Sequence, residues 1–77
     1  MELIVVSPEG ILLTETAERI TLPGDEGPFS VLKNHAPLIS TLHEGDVIYV
    51  QDKKTKKYEI KGGIAIVEKN QVRVFIE

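Results

Sequence analysis

Seventy-seven residues make one domain, 1–77, close to the lower size limit at which a chain builds its own core. The absence of Cys excludes disulfides and any cysteine-ligated metal centre, and the 42% apolar and 27% charged fractions are those of an ordinary globular domain. A formal net charge of −3 argues against a nucleic-acid surface, and no apolar run approaches the ~20 residues of a membrane-spanning helix.

Taken in order, Glu2–Val6 is short, apolar and rich in β-branched residues, which predicts a strand. Met1-Glu2-Leu3-Ile4 has neither the basic region of a signal peptide nor the Arg- and Ser-rich character of a transit peptide, so a soluble chain is expected. Ser7-Pro8-Glu9-Gly10 is a turn, with Pro at its second position and Gly at its fourth, and Ile11–Glu15 completes a hairpin. Ala17–Leu22 is a third strand. Two short strands come next, near Phe29–Leu32 and Leu38–Leu42, and then Val47–Val50. Asp52–Lys56 is expected to be a polar turn, with Lys57–Lys61 alternating cleanly behind it. Gly62-Gly63 breaks the chain before Ile64–Val67. Glu68–Gln71 turns it back into Val72–Ile76. No segment sustains a helical period, so the expectation is an all-β sandwich or barrel.

Leu22 to Gly45 concentrates the unusual chemistry: three of the four prolines, three of the six glycines and both histidines. Pro fixes its own φ and Gly permits φ above zero, so this spacing predicts tight backbone geometry, with turns at Pro23-Gly24-Asp25-Glu26-Gly27, Lys33–Pro37 and Glu44-Gly45-Asp46. A second feature concerns the strands. A half-exposed strand alternates apolar and polar residues, as Tyr58–Lys61 and Val72–Phe75 do. Leu3–Val6, Val47–Val50 and Ile64–Val67 are apolar on both faces. One face fills the core; the other needs a cover, either a second protein or the chain's own loops.

Little in the sequence points to catalysis. His35 and His43 stand eight residues apart, ~26 Å in an extended chain, with no third ligand spaced to complete a metal site. Asp25 and Glu26 are adjacent and diverge, which does not suit acid–base pairing; Asp25 is expected to cap its turn with its own side chain. Ser7, Ser30 and Ser40 lack a nucleophile signature, and there is no phosphate-binding glycine loop. Lys53, Lys54, Lys56 and Lys57 form a basic cluster, read as a solvated tip that discourages strand pairing or as a contact for phosphates.

At the central stretch the pattern resembles the ε subunit of F-type ATP synthases (the δ subunit in mitochondria). Pro23, Gly24 and Gly27 match that family's P-G-x-x-G turn; His35-Ala36-Pro37-Leu38, Leu42 and Gly45 match the family's next segment. Val5-Val6-Ser7-Pro8 looks like the family's first strand and turn, and Gly62-Gly63-Ile64 with Val67, Asn70 and Val72 like its closing hairpin, so the likeness covers the whole chain. Ser30 and Asn34 stand where glycine is usual, and Asn tolerates the left-handed conformation needed before the histidine. Pro28 replaces a polar residue and stiffens the loop. Members usually continue into a helical hairpin that carries ATPase inhibition and, in some, ATP binding; with the sequence ending at Glu77, neither is assigned.

The resemblance implies a flattened β-sandwich of about ten short strands. It implies a non-catalytic rotor subunit of a proton- or sodium-translocating ATP synthase, without cofactor or metal, peripheral at the cytoplasmic face of a bacterial inner membrane. Partners would be the γ subunit and the c-ring. By matching position, Ser7, His35, Ala36, Pro37, Leu38 and Ser40 are candidates for γ; Asp25, Glu26, Gly27 and Pro28 for the c-ring; Pro23, Gly24, Gly45, Gly62 and Gly63 for structural turns. The alternative is a free-standing β-barrel binding a small ligand or single-stranded nucleic acid through the lysine cluster.

Overall fold

In the computed structural model, which describes residues 1–77 throughout, the chain forms nine strands and no helix. They are β1 (Glu2–Ser7), β2 (Gly10–Thr16), β3 (Arg19–Leu22), β4 (Phe29–Leu32), β5 (Leu38–Leu42), β6 (Gly45–Gln51), β7 (Lys54–Ile60), β8 (Gly63–Glu68) and β9 (Gln71–Phe75). They build a sandwich of two sheets, ordered β2-β1-β9-β8-β5 and β4-β3-β6-β7, rather than a closed barrel. All pairings are antiparallel except one: β1 lies parallel to β9.

Alternation decides which side chains meet between the sheets. The five-stranded sheet contributes Leu3, Val5, Leu42, Ala65, Val67, Val72 and Val74; the four-stranded sheet contributes Ile20, Leu22, Val31, Val47, Tyr49 and Ile60. No polar residue other than Tyr49 enters this layer, and no charged residue is buried. Burial first, and the Glu15 carboxylate second, raise the Tyr49 phenol above its ordinary pKa of 10.0.

The nine strands in two sheets agree with the implied sandwich of about ten short strands, and the segment between β3 and β4 adds one isolated bridge, Gly24 to Leu42. Two expectations change. The expected five-residue turn Asp52–Lys56 is a two-residue hairpin, Asp52-Lys53, with φ of 51° and 66°. Lys69-Asn70 turns the same way, at 51° and 59°. This left-handed pair matches the twist of the flanking strands, so β7 starts at Lys54. Of the lysine cluster only Lys53 therefore stays at the tip; Lys54, Lys56 and Lys57 are spread along β7, an edge strand of its sheet.

Gly63 is required by a close approach. A Cβ built there would collide with the Phe75 carbonyl oxygen on β9, the neighbouring strand. We expect Gly63→Ala to force the two strands apart at a cost of about 1–3 kcal/mol, read by chemical denaturation; an unchanged midpoint would show that this end of the sheet yields freely. Tyr49 gives a pH signature. Because its folded pKa is raised, its contribution to stability is fully present below pH 10.0 and is lost as pH rises through the higher folded value. Tyr49→Phe should remove that alkaline loss, measured as the midpoint of thermal unfolding between pH 8 and 11.

Candidate functional site

The Pro23–Pro28 turn is fastened to β5 by main-chain bonds. Asp25 N–H donates to Thr41 O at 3.0 Å, His43 N–H to Pro23 O at 3.0 Å, and Gly27 N–H closes the turn onto Gly24 O at 3.0 Å. Gly24 admits no side chain: a Cβ would stand 2.9 Å from two ring carbons of Phe29 and 2.8 Å from Gly27 O. Pro23 packs on Gly45, where a Cβ would lie 3.1 Å from the proline Cβ. Asp25, Glu26, Gly27 and Pro28 are left exposed on a backbone that is held from beneath. Asp25 does not cap the turn as expected: its carboxylate makes no hydrogen bond, because Gly24 O and Gly27 N–H already close the loop.

The second turn is locked to the far hairpin by two asparagines. Asn34 adopts φ 65°, as its tolerance of the left-handed region predicts. Its N–H donates to Asn70 Oδ1 at 2.7 Å, and Asn70 Nδ2 donates back to Asn34 Oδ1 at 3.3 Å. Asn70 O in turn accepts Glu2 N–H at 3.0 Å, so three parts of the chain converge on one residue. His35 comes next, with Nδ1–H donating to Ala36 O at 2.6 Å.

These turns bring part of the sequence-derived set together. His35, Leu38 and Ser40 line one groove with Asp25–Pro28, along the edge strands β4 and β5. Pro37 borders a neighbouring patch with Ile39, Ile66 and Glu68, and Ala36 is exposed between the two. Ser7 stands apart, with β9 and β8 between its strand and β5. Its hydroxyl accepts Glu9 N–H and donates towards Gly10 O, both at 3.3 Å, in the β1–β2 turn. Gly62 and Gly63 sit where β7 passes to β8.

The largest feature was only half visible in the sequence. On the outer face of the five-stranded sheet, register aligns Ile11, Val6, Phe75 and Ile64 in one row across β2, β1, β9 and β8. Ile4, Arg73, Ile66 and Ile39 make the next row. Ile39 is 73% exposed, Ile11 67% and Ile64 45%, so this apolar band lies open. The both-sided strands Leu3–Val6 and Ile64–Val67 were its signal. Ile39, Phe75 and Arg73 could not be placed on it without the strand order.

The whole chain, residues 1–77, matches the family model described as the β-sandwich domain of the ATP synthase delta/epsilon chain. The chain belongs to this family. It is 43% identical over 73 residues to the ATP synthase epsilon chain of Desulfitobacterium hafniense, covering 95% of this chain and 55% of that protein. To the plastid epsilon chain of Prototheca wickerhamii it is 36% identical over 76 residues, 99% of this chain and 57% of that one. It thus spans little more than half the length of these relatives. Among solved structures it superimposes on a chain of the Euglena gracilis mitochondrial ATP synthase, a structure of OSCP, F1 and c-ring, with a TM-score of 0.85. Identity there is 26%, over 96% of this chain and 48% of that one. A chain of the Tetrahymena thermophila central stalk and c-ring shares the fold, with a TM-score of 0.76 at 17% identity over 99% of this chain and 63% of that one.

Within the epsilon-type sandwich, the asparagine lock gives a direct test. Asn70→Gly removes the acceptor of Asn34 N–H and still adopts the left-handed φ of 59°, so exchange of that amide should speed up about fivefold while core amides are unaffected. Asn70→Asp keeps an acceptor and should preserve protection. Equal exchange in all three proteins would show that the turn holds itself.

Proposed function

We propose that this chain is a non-catalytic subunit of the central stalk of a proton- or sodium-translocating F-type ATP synthase. In this reading it binds the γ subunit and the c-ring and turns with both, coupling ion-driven rotation to ATP synthesis. It reaches the membrane only through the ring, at the cytoplasmic face of a bacterial inner membrane. The observation that carries the reading is the open apolar band, in a chain whose relatives are ATP synthase epsilon chains.

The band is assigned to γ. A stable interface takes ~800 Å² from each partner, about one-sixth of this chain's 4914 Å². Pro37 borders Ile39 and Ile66 at the β5 edge of the band, with Ala36 exposed before it; His35, Leu38 and Ser40 line the adjoining groove, Leu38 and Ser40 on the opposite face of β5 from Ile39, and Ser7 follows Val6 at the end of β1. The exposed turn Asp25, Glu26, Gly27 and Pro28 is assigned to the polar loops of the c-ring. It is fastened alongside β5, in the groove at the β4–β5 edge, while the band is the outer face of the five-stranded sheet. A rotor element needs contacts on two such surfaces and stiffness between them. The bridge from Gly24 to Leu42 supplies that stiffness by joining the turn to the strand that bears Ile39.

The test is association with γ from the same genome, measured by calorimetry. Ile39→Asp and Ile64→Asp should each weaken binding by about thirtyfold or more while the isolated chain keeps its β-sheet circular dichroism. His35→Ala and Pro37→Ala should weaken it less. Asp25→Ala with Glu26→Ala should spare γ binding and lower recovery of the c-ring with the γ complex. Wild-type affinity for γ in both Ile→Asp variants would reject the assignment of the band.

A further inference from the structure

Arg73 occupies the middle of the open band, between Ile4 on β1 and Ile66 on β8. It is the only basic side chain among the strand residues of that face. Its guanidinium has five N–H donors and makes no hydrogen bond. The one ion pair, Nη2 to Glu68 Oε2, is 3.8 Å long between groups whose side chains are 37% and 42% exposed. Nε is sealed from solvent with no partner, the only such buried side-chain atom in the protein.

An apolar contact laid over this band strips the remaining water from the guanidinium. Such a cation is tolerated only if the covering surface brings an acceptor, and a carboxylate matches the planar fork best. We propose that Arg73 is the specificity-determining polar anchor of the band, and that the γ surface seated on it presents a carboxylate to Arg73 within an apolar patch. This rests on the assignment of the band to γ and adds the chemistry by which the right partner is chosen. Glu68 lies one row further along, beside Gln71 and Glu2, and so stays at the rim, holding the guanidinium loosely until the partner's carboxylate replaces it.

The alternative sign is clear. If γ offers no carboxylate, Arg73 is a buried, uncompensated charge in the complex, and an apolar residue of similar length improves binding. The experiment is calorimetric titration of γ with four forms of the chain, wild type, Arg73→Met, Arg73→Lys and Glu68→Gln, at low and at high salt. We expect Arg73→Met to bind at least tenfold more weakly and to lose most of the salt dependence. Arg73→Lys should restore the salt dependence without restoring the affinity, because an ammonium cannot make the two-point contact. Glu68→Gln should bind as wild type or more tightly. Equal or tighter binding by Arg73→Met overturns the proposal, as does a loss in Glu68→Gln as large as that in Arg73→Met. The Ile39→Asp and Ile64→Asp pair separates the two levels: if both bind as wild type, the band is not the γ surface; if they fail to bind while Arg73→Met binds normally, the surface stands and the anchor falls.

Discussion

The parallel pairing of the first strand with the last is the contact on which the rest of the molecule depends. It places Leu3 and Val5 level with Val72 and Val74 on the inside, and Ile4 and Val6 level with Arg73 and Phe75 on the outside. The inside row closes the core of the five-stranded sheet; the outside row turns two separate strand faces into one continuous surface. Without that pairing the sheet falls into two parts, β1–β2 and β8–β9 with β5, neither wide enough to cover the four strands opposite. It is also the most costly contact to form, because it joins the two ends of the chain and must wait for the loop between them to close.

This explains what the sequence makes legible. Strand positions derive from local alternation and turn residues, and most of the nine appear where β-branched residues cluster between Gly, Pro and Asn; the breaks at Ala17-Glu18 and Asp52-Lys53 carry none of these. Asn34 is readable because a left-handed conformation is a property of one residue type. The Asp52-Lys53 hairpin is misjudged for the same reason, since Lys53 gives no such signal and its φ of 66° is imposed by the strands on either side. The candidate site divides similarly. The turn at Pro23–Pro28 and the His35 segment stand out by composition, whereas the band does not. Ile39 and Arg73 lie 34 positions apart and become neighbours, through Ile66, only when β8 lies between β5 and β9. The two-sided apolar strands announce that some face needs a cover; they cannot announce which residues share it.

The edges of the sandwich show that the open face is selective rather than careless. An exposed strand edge invites pairing with another chain, and lysines or bulges blunt it. The edge strand β7 carries Lys54, Lys56 and Lys57. At the edge strand β2 the register slips opposite Val5 and Val6, which leaves Leu12 unpaired and bends the strand. Main-chain association is thus guarded at two of the four edges. On the outer face of the five-stranded sheet, by contrast, Ile11, Ile39 and Ile64 stay exposed and a single cation interrupts them. A chain that spends charge to protect its edges has the means to protect this face as well. Retaining isoleucine at the exposed positions, with one under-bonded arginine among them, is the arrangement expected of a surface that is covered whenever the protein works. Apolar area then supplies the holding energy, and the charge decides what may sit there.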